Sequence, residues 1–374
     1  SYSGASEGAM EVIVPVVMHN WFGYYTEIVI QNVGSADAAD IDIEFTPTAL
    51  GSCTTGAAGQ TIDNQSLAQY AGSTFSQLSA TDLGGPAATG CATYEGRFLG
   101  SAKITADQPV VAVINQHVQG KLFTYNGFTA SGTDLLLPAY MRDYYGYYAS
   151  LTIVNPNAGP AEVDLTYQAG SLSNPIEQVT GTHTIPAGES IVIYDGNPAS
   201  NSDLAAVYND AATKRFFGSV SLSSDIPVVA MVNQEALADK GAQAGTFSGM
   251  FTSDGSGKIS VPLIQSGFYG YYTSLTIMTV DGANANLDIT YTSDTTYSTV
   301  QGNSKTYTMD TVNGFLNRYE GEAGSAEQSD IKDDAVWSDG TNRRFIGSAV
   351  IEVNTGSDIV AFVNSESTVA GMDS

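Results

Sequence analysis

The amino-acid sequence predicts an all-β protein of three tandem immunoglobulin-like antiparallel β-sandwich domains. The first observation behind this prediction is an internal repeat, in which the same motifs return three times along the chain. The second is an alternation of apolar and polar residues with period two, which is typical of half-buried strands. The third is the length of 374 residues, which suits about two to four domains of ordinary size.

The repeat is clearest in two short motifs that lie eight residues apart in every copy. A proline closes an apolar run, and a glycine among aromatic residues follows it. The prolines are Pro15, Pro138 and Pro262, and the glycine motifs are Trp21-Phe22-Gly23-Tyr24-Tyr25, Tyr144-Tyr145-Gly146-Tyr147-Tyr148 and Phe268-Tyr269-Gly270-Tyr271-Tyr272. Gly146 follows Gly23 by 123 residues, and Gly270 follows Gly146 by 124. Such spacing does not arise by chance, so the chain contains three copies of one unit.

Each copy also contains an alternating strand and a long apolar final strand. The alternating segments are 39–45, 161–167 and 285–291, and the final strands include 110–115, 228–233 and 359–364. An Arg-Phe-x-Gly-Ser motif, starting at Arg97, Arg215 or Arg344, precedes each final strand. An unbroken apolar run in an antiparallel sheet predicts that both faces of the strand are covered, by the opposite sheet or by a neighbour. About seven strands per copy fit a sandwich of immunoglobulin-like type.

These motifs divide the chain into repeats and connecting segments. We expect β-sandwich repeats at 11–119, 134–237 and 258–374, linkers at 120–133 and 238–257, and a linker-like assembly segment at 1–10. Both linkers contain an aromatic residue, a small polar residue and a glycine, at Tyr125-Asn126-Gly127 and Phe247-Ser248-Gly249. The same pattern is found at Tyr2-Ser3-Gly4, and Tyr2 precedes Pro15 by thirteen residues, as Tyr125 precedes Pro138. The segment from Ser1 to Met10 is therefore interpreted as a linker without a preceding domain, and the third repeat as a domain without its linker.

The composition excludes several classes of partner. Thirteen Lys and Arg residues against 39 Asp and Glu residues give a formal net charge of −26, which repels nucleic acid and anionic membranes. The sequence contains no apolar run long enough to span a membrane and does not open with a signal peptide, so Ser1 is interpreted as a processed terminus. An acidic surface of this kind suits a secreted protein and leaves calcium open as a bound ion.

The two cysteines, Cys53 and Cys91, lie in the same repeat of a chain that has no others. Such a pair predicts a disulfide formed in an oxidising compartment, with two free buried thiols as the alternative.

The aromatic-glycine motifs are the candidate contacts between repeats. We assign to these joints Trp21, Gly23, Tyr25, Tyr145, Gly146, Tyr148, Tyr269, Gly270 and Tyr272. Because neighbouring residues of a strand point to opposite faces, one tyrosine of each Tyr-Tyr pair is expected to face outward. Stacking of exposed rings on sugars is the alternative interpretation.

Two further sites are weaker candidates. Asp330, Asp333, Asp334 and Asp339 could supply hard oxygen ligands to calcium, although the spacing matches no EF-hand loop and a solvated acidic loop is the alternative. Asn64 begins the sequon Asn64-Gln65-Ser66, which predicts a glycosylation site.

No pattern in the sequence indicates catalysis. His19, His117 and His183 occupy non-equivalent positions in the repeats, and no nucleophile, zinc or phosphate-binding signature is found. We therefore expect a non-enzymatic protein without a cofactor.

The tandem repeats, the aromatic-Gly-Tyr-Tyr motif and the Arg-Phe-x-Gly-Ser motif resemble secreted prokaryotic surface proteins built from immunoglobulin-like sandwiches. That group includes surface-layer and extracellular filament subunits, so the resemblance implies an extracellular structural role. Together with the segment around Tyr2, Ser3, Gly4 and Met10, it predicts a homopolymer in which this segment docks on the third repeat of the preceding subunit. The alternative is an adhesin or cell-surface binding module that binds glycans through its aromatic clusters.

Overall fold

The protein is all-β, with three antiparallel curled sheets that form three regions, one for each repeat. This computed structural model describes residues 7–48, 60–76, 97–118, 120–196, 202–210, 213–236, 244–320 and 330–367. Within those ranges, no helix combines the length and the apolar character needed to cross a membrane.

The first sheet has seven strands: β1 (Ala9–His19), β2 (Tyr25–Asn32), β3 (Ala38–Pro47), β4 (Gln60–Leu67), β5 (Gly72–Ser76), β6 (Phe98–Val118) and β7 (Lys121–Asn126). Their order is β4-β3-β6-β2-β5, and β1 and β7 also pair with β6.

The second sheet has eight strands: β8 (Gly132–Arg142), β9 (Tyr147–Val154), β10 (Ala161–Ala169), β11 (Val179–Ile185), β12 (Ser190–Tyr194), β13 (Phe216–Ala236), β14 (Ala244–Ser248) and β15 (Met250–Phe251). The central strand β13 pairs with β8, β9, β10 and β14, which repeats the arrangement around β6.

The third sheet has seven strands: β16 (Lys258–Phe268), β17 (Tyr271–Thr279), β18 (Asn286–Ser293), β19 (Ser304–Asp310), β20 (Phe315–Tyr319), β21 (Phe345–Thr355) and β22 (Ile359–Ser367). Here two strands replace the single long one, since β21 pairs with β16 and β18, and β22 pairs with β17. A short helix, α1 (Asp330–Asp333), precedes β21.

In the first two sheets a single long strand pairs with two successive groups of strands. The first half of β6 pairs with β1 and β3, and its second half pairs with β2 and β7. The change of partners falls between Ala106 and Val110, where Pro109 has no N–H to donate to a ladder. Pro227 lies at the same point of β13, and Gly356 has a φ of 113° between β21 and β22.

Each curled sheet wraps around its own apolar core. In the second repeat Val163, Leu165 and Tyr167 alternate as buried residues with the exposed Glu162 and Asp164, as the period-two pattern predicts. The three cores consist of aliphatic and aromatic side chains from most strands of their repeats.

The predicted all-β class and the predicted strand count are confirmed. The segments that the sequence presents as linkers have a different role, because they are strands of the preceding sheet. Residues 121–126 form β7 on β6, and residues 244–248 form β14 on β13. The next-to-last residue of each strand is aromatic, Tyr125 or Phe247, and is buried in the core of its repeat.

Candidate functional site at the joints between repeats

The aromatic-glycine motifs form three tight hairpin turns. In each, the aromatic residue and the glycine both have positive φ: 51° and 88° at Phe22-Gly23, 50° and 89° at Tyr145-Gly146, and 52° and 84° at Tyr269-Gly270. Two consecutive positive φ values match the twist of a two-residue hairpin, and glycine is the residue that adopts the second of them without strain. The turns join β1 to β2, β8 to β9 and β16 to β17.

An arginine lies over the exposed aromatic ring of every turn. The guanidinium carbon of Arg97 is 4.7 Å from the ring centre of Phe22, that of Arg215 is 4.2 Å from Tyr145, and that of Arg344 is 5.4 Å from Tyr269. These arginines begin the Arg-Phe-x-Gly-Ser motif, and the phenylalanine after each pairs with the end of the first strand, beside the turn. The structure thus joins two motifs that lie far apart in the sequence.

The joint between repeats 1 and 2 is apolar at its centre. Ile13 and Phe128 of the first repeat contact Val154 and Val229 of the second. Met231, on the outer face of β13, is 1% exposed and belongs to the core of the first repeat. Strand β13 of the second repeat therefore contributes a side chain to the core of the first repeat.

Polar groups surround this contact. Glu235 of β13 accepts hydrogen bonds from Tyr24, from Lys121 at 3.2 Å and from Tyr148 at 3.4 Å. The Lys121 and Glu235 side chains are only 14% and 13% exposed, so their ion pair is largely shielded from water. Burial, followed by the charge of Glu235, raises the pKa of Tyr24 above its usual value. Asn233 also donates to Gln116 across the joint, at 3.0 Å.

The joint between repeats 2 and 3 uses the equivalent positions. Leu136 and Met250 of the second repeat contact Met278 and Val360 of the third. Counted from the repeated proline, glycine and asparagine, these residues correspond to Ile13, Phe128, Val154 and Val229. Phe362 takes the place of Met231: its ring lies 4.4 Å from that of Phe247, and it packs on the core of the second repeat.

A second contact strengthens this joint. Phe315 of β20 packs between repeats against Phe217 and Tyr144, with ring centres 5.3 Å apart for Phe217 and Phe315. Asn313 donates a hydrogen bond to the carbonyl oxygen of Ala169 at 2.9 Å.

One half of the repeated joint lies uncovered on the first repeat. We call Val29, Val111 and Val113 the joint face of repeat 1, since they are the counterparts of Thr152, Val229 and Met231. The second-repeat residues are 2%, 2% and 1% exposed, whereas all three valines are only half-buried.

The other half lies uncovered on the third repeat. We call Leu263, Ala361 and Val363 the open side of repeat 3. Leu263 is 44% exposed, whereas its counterparts Val16 and Ala139 are each 2% exposed. Ala361 and Val363 are half-buried, whereas the residues at their positions in the other repeats are buried: Ala112, Ala230, Ile114 and Val232.

The two uncovered halves are less apolar than the joints within the chain. Gln31 stands where Val154 and Met278 stand, and Ser260 stands where Ile13 and Leu136 stand. Both are exposed. A contact between these halves would therefore bury less apolar surface than either internal joint.

The predicted joint residues are divided between turns and joints. Six of them belong to the hairpin turns: Trp21, Gly23, Tyr145, Gly146, Tyr269 and Gly270. Tyr148 instead donates a hydrogen bond to Glu235 at the first joint. At the first turn, the Tyr25 hydroxyl donates a hydrogen bond to Asn20 and its ring packs edge-on against His19. Tyr272 is buried on β17. The predicted alternation holds on β2, where Thr26, Ile28 and Ile30 are buried and Tyr25, Glu27 and Val29 are half-buried.

Three of the four aspartates of the calcium prediction have described side chains, and each of the three has hydrogen-bond or ion-pair partners of its own. Asp330 is paired with Arg318 and accepts a hydrogen bond from Tyr291 at 3.3 Å. Asp334 accepts from Lys305, from Tyr307 and from the Val336 N–H, and the Lys305 bond is the main cause of its lowered pKa. Asp339 accepts from the Thr341 and Asn342 N–H groups at 2.8 and 2.7 Å. The Asp333 side chain lies outside the described residues, and within the described part of the chain no three His, Cys, Asp or Glu side chains form a metal-binding group.

Other predicted sites have simpler outcomes. Cys53, Cys91, Tyr2, Ser3 and Gly4 lie outside the described residues. Met10, near the start of β1, is 47% exposed. Asn64 of the sequon is exposed on β4, and its N–H donates to Asp42 at 2.9 Å.

The sequence analysis did not identify four residues that contribute to the joints: Met231, Phe362, Glu235 and Lys121. The signal for the first two was present, because the unbroken apolar run of the last strand predicts cover on both faces. The structure shows that the neighbouring repeat supplies the second cover.

Comparisons with known proteins give a distant similarity. No protein-family model matches the chain, and no curated protein matches it. A crystal structure of Thermotoga maritima 1070 aligns with 33% of this chain and 97% of that chain, at 16% identity and a TM-score of 0.25.

Proposed function

We propose that this protein is an extracellular structural subunit that polymerises head to tail into a filament, sheath or surface layer. One observation carries the proposal. The joint face of repeat 1 and the open side of repeat 3 are uncovered copies of the two halves of an interface that forms twice within the chain.

The polarity of the polymer follows from the positions of these halves. A contact between repeat 3 of one copy and repeat 1 of the next joins two different surfaces, so it is heterologous. Heterologous contacts form rings when their rotation closes and open filaments when it does not. A contact that repeats the internal geometry extends the line of repeats from subunit to subunit.

The proposal also covers the type of domain and the role of the net charge. Each repeat is a sandwich of immunoglobulin-like type, in which the two halves of β6 or β13, or the strands β21 and β22, belong to two layers. The strand count and the change of partners at Pro109 and Pro227 support this. The protein acts without catalysis or a cofactor, and its net charge of −26 keeps subunits soluble outside the cell until they assemble. Calcium would neutralise part of this charge.

A charge placed on the joint face tests the proposal. The variant Val113→Glu puts a carboxylate where Met231 and Phe362 enter a neighbouring core, so assembly should fail while the three repeats stay folded. Thr180→Glu on β11 is the matched control, because it adds the same charge at an exposed position outside both joints.

Electron microscopy and sedimentation at high protein concentration are the measurements. Filaments from the wild type and from Thr180→Glu, with none from Val113→Glu, support the proposal. A wild type that stays monomeric at every concentration, or a Val113→Glu variant that assembles normally, contradicts it.

The exposed hairpin turns favour a second candidate function, a glycan-binding adhesin. Phe22, Tyr145 and Tyr269 are 63%, 47% and 65% exposed, and exposed rings stack on sugars. Replacing all three by alanine separates the two functions. An adhesin loses glycan binding on an array, whereas a structural polymer assembles as before because these turns lie outside the uncovered halves of the joint.

A further inference from the structure

Strands β7 and β14 of the first two repeats have no counterpart among the described residues of the third repeat. In repeat 1, β7 pairs with β6 and its Tyr125 ring enters the core, where the hydroxyl donates to the Val16 carbonyl oxygen at 3.1 Å. In repeat 2, β14 pairs with β13 and Phe247 takes the same place in the core. Both rings are nearly inaccessible, with exposed fractions of 5% and 8%.

The two strands use one register. Tyr125 lies opposite Ile114, and Phe247 lies opposite Val232. Two residues further on, the Gly127 N–H donates to the Ala112 carbonyl oxygen and the Gly249 N–H donates to the Ala230 carbonyl oxygen, each at 2.8 Å. The aromatic-x-Gly motif therefore encodes both a core side chain and a fixed hydrogen bond to the last strand.

The corresponding edge of repeat 3 is vacant in the described residues. Within 244–320 and 330–367, β17 is the only strand that pairs with β22, apart from a single bridge between Ser256 and Ile359. The residues beneath this edge are the open side of repeat 3: Leu263, Ala361 and Val363. Their counterparts in the other repeats pack in cores that contain Tyr125 and Phe247, so the exposure coincides with an edge at which the described residues place no strand.

We propose that residues 1–8 of a second copy supply this strand. Their Tyr2-Ser3-Gly4 has the same aromatic-x-Gly pattern, at the same distance of thirteen residues from Pro15 as Tyr125 from Pro138. In the shared register, Tyr2 lies opposite Val363 and fills the space above Leu263, and the Gly4 N–H donates to the Ala361 carbonyl oxygen. A free strand edge is a template for strand addition of this kind.

The connections between repeats are consistent with this occupant. Within the chain, β7 leads directly to β8 and β14 leads through β15 to β16, so the seventh strand of one repeat always precedes the first strand of the next. Residues 1–8 likewise precede β1, which begins at Ala9. Donation to repeat 3 therefore brings the next copy to the position that a fourth repeat would have, and its joint face then meets the open side of repeat 3.

This inference rests on the proposed function and adds its mechanism. The intermolecular joint has Ser260, Gln31 and Ala5 where the first internal joint has Ile13, Val154 and Phe128. Contact between the faces alone is thus weaker than an internal joint. The donated strand supplies the backbone hydrogen bonds and the aromatic side chain that the faces lack.

Paired cysteines test the register. Thr124 lies opposite Asn115 in repeat 1, and the matching pair across copies is Ser1 and Asn364. Mixing the single variants Ser1→Cys and Asn364→Cys under oxidising conditions should give a covalent dimer, and the double variant should give a ladder of covalent oligomers. Mass spectrometry identifies the link, so the native cysteines can stay. The pair Ser3→Cys and Asn364→Cys is the control, because it is shifted by about 7 Å along the strand and should cross-link at least tenfold less.

Variants at Tyr2 test the side chain. Tyr2→Phe reproduces the residue found at Phe247 and should assemble as the wild type does. Tyr2→Ala leaves the core of repeat 3 open and should raise the protein concentration needed for assembly at least tenfold. Deletion of residues 1–8 leaves β1 whole and should leave folded monomers.

The outcomes separate this inference from the function on which it rests. If the deletion variant forms normal filaments while Val113→Glu forms none, strand donation is wrong and head-to-tail polymerisation stands. If the cysteines at 1 and 364 join within one chain, or if residues from 368 onward of the same chain occupy the edge, strand donation is wrong as well. A wild type that never assembles rejects both.

Discussion

At the scale of single residues, each joint depends on one side chain that enters the core of another repeat. Met231 belongs to β13 of the second repeat, yet it is buried with Val14, Ile28 and Ile114 of the first. Phe362 stands in the same relation to the second repeat. The stability of one repeat is therefore coupled to the presence of the next, as in other arrays whose units contact their neighbours.

Truncation of Met231 should weaken this coupling. Removing a buried methionine side chain costs about 2 to 5 kcal/mol, and here the loss falls on the first repeat although the residue lies in the second. We expect Met231→Ala to lower the free energy of unfolding of the first repeat, measured by hydrogen exchange along β1, β2 and β6. Met10→Ala is the control, because Met10 is 47% exposed and should change little. Equal exchange in the two variants would contradict the role given to Met231.

At the scale of elements, charged and aromatic groups hold the segment that precedes β21 in the third repeat. In the third repeat Lys305 of β19 bonds Asp334, and Tyr307 of the same strand donates to Asp334 at 2.9 Å and accepts from Trp337 Nε1 at 2.9 Å. Trp337 is 1% exposed and packs against Phe345, so this segment contributes to the core of the third repeat.

The contribution of Asp334 should disappear in acid. The hydrogen bond from Lys305 is the main cause that lowers the folded-state pKa of Asp334 below its usual 3.8. A lowered pKa means that the stabilisation is present above pH 3.8 and is lost as the pH falls through the folded-state value. We expect Asp334→Asn to be less stable than the wild type at pH 7 and to approach it in strong acid, measured by denaturant unfolding of the third repeat. A stability difference that is independent of pH would contradict this assignment.

Much of the element scale was predictable from the sequence, and the exceptions have physical causes. The repeats, the strand count and the buried face of β10 follow from local patterns of period two. The strands at 121–126 and 244–248 could not be predicted in this way. Such short segments next to glycines form strands because they pair with the free edges of β6 and β13. The bond between Tyr24 and Glu235 joins residues 211 positions apart, and no local pattern carries such a contact. The arginine and the aromatic ring that it covers likewise belong to two motifs far apart in the sequence, and only the fold brings them together.

At the scale of the whole molecule, two internal joints connect three repeats, and uncovered counterparts of the two joint halves lie on the first and third repeats. The internal joints are more apolar than the uncovered halves, because Gln31 and Ser260 replace apolar residues there. We therefore expect the polymer to dissociate under conditions in which the repeats stay folded and joined.

Assembly should also depend on salt. Subunits with a net charge of −26 repel one another, and the screening length falls from about 30 Å at 0.01 M salt to about 8 Å at 0.15 M. We expect the protein concentration needed for assembly, measured by light scattering, to fall as salt rises over this range. Polymer contacts made mainly by ion pairs would give the opposite trend.

The central claim is that an interface formed twice within the chain forms again between chains. Electron cryo-microscopy of the full-length protein at high concentration tests it most directly. The account predicts polar filaments with a subperiod of one repeat and a true period of three, in which residues 1–8 of one subunit lie along β22 of the preceding one. Isolated monomers at every concentration, or closed dimers with a two-fold axis, would contradict it.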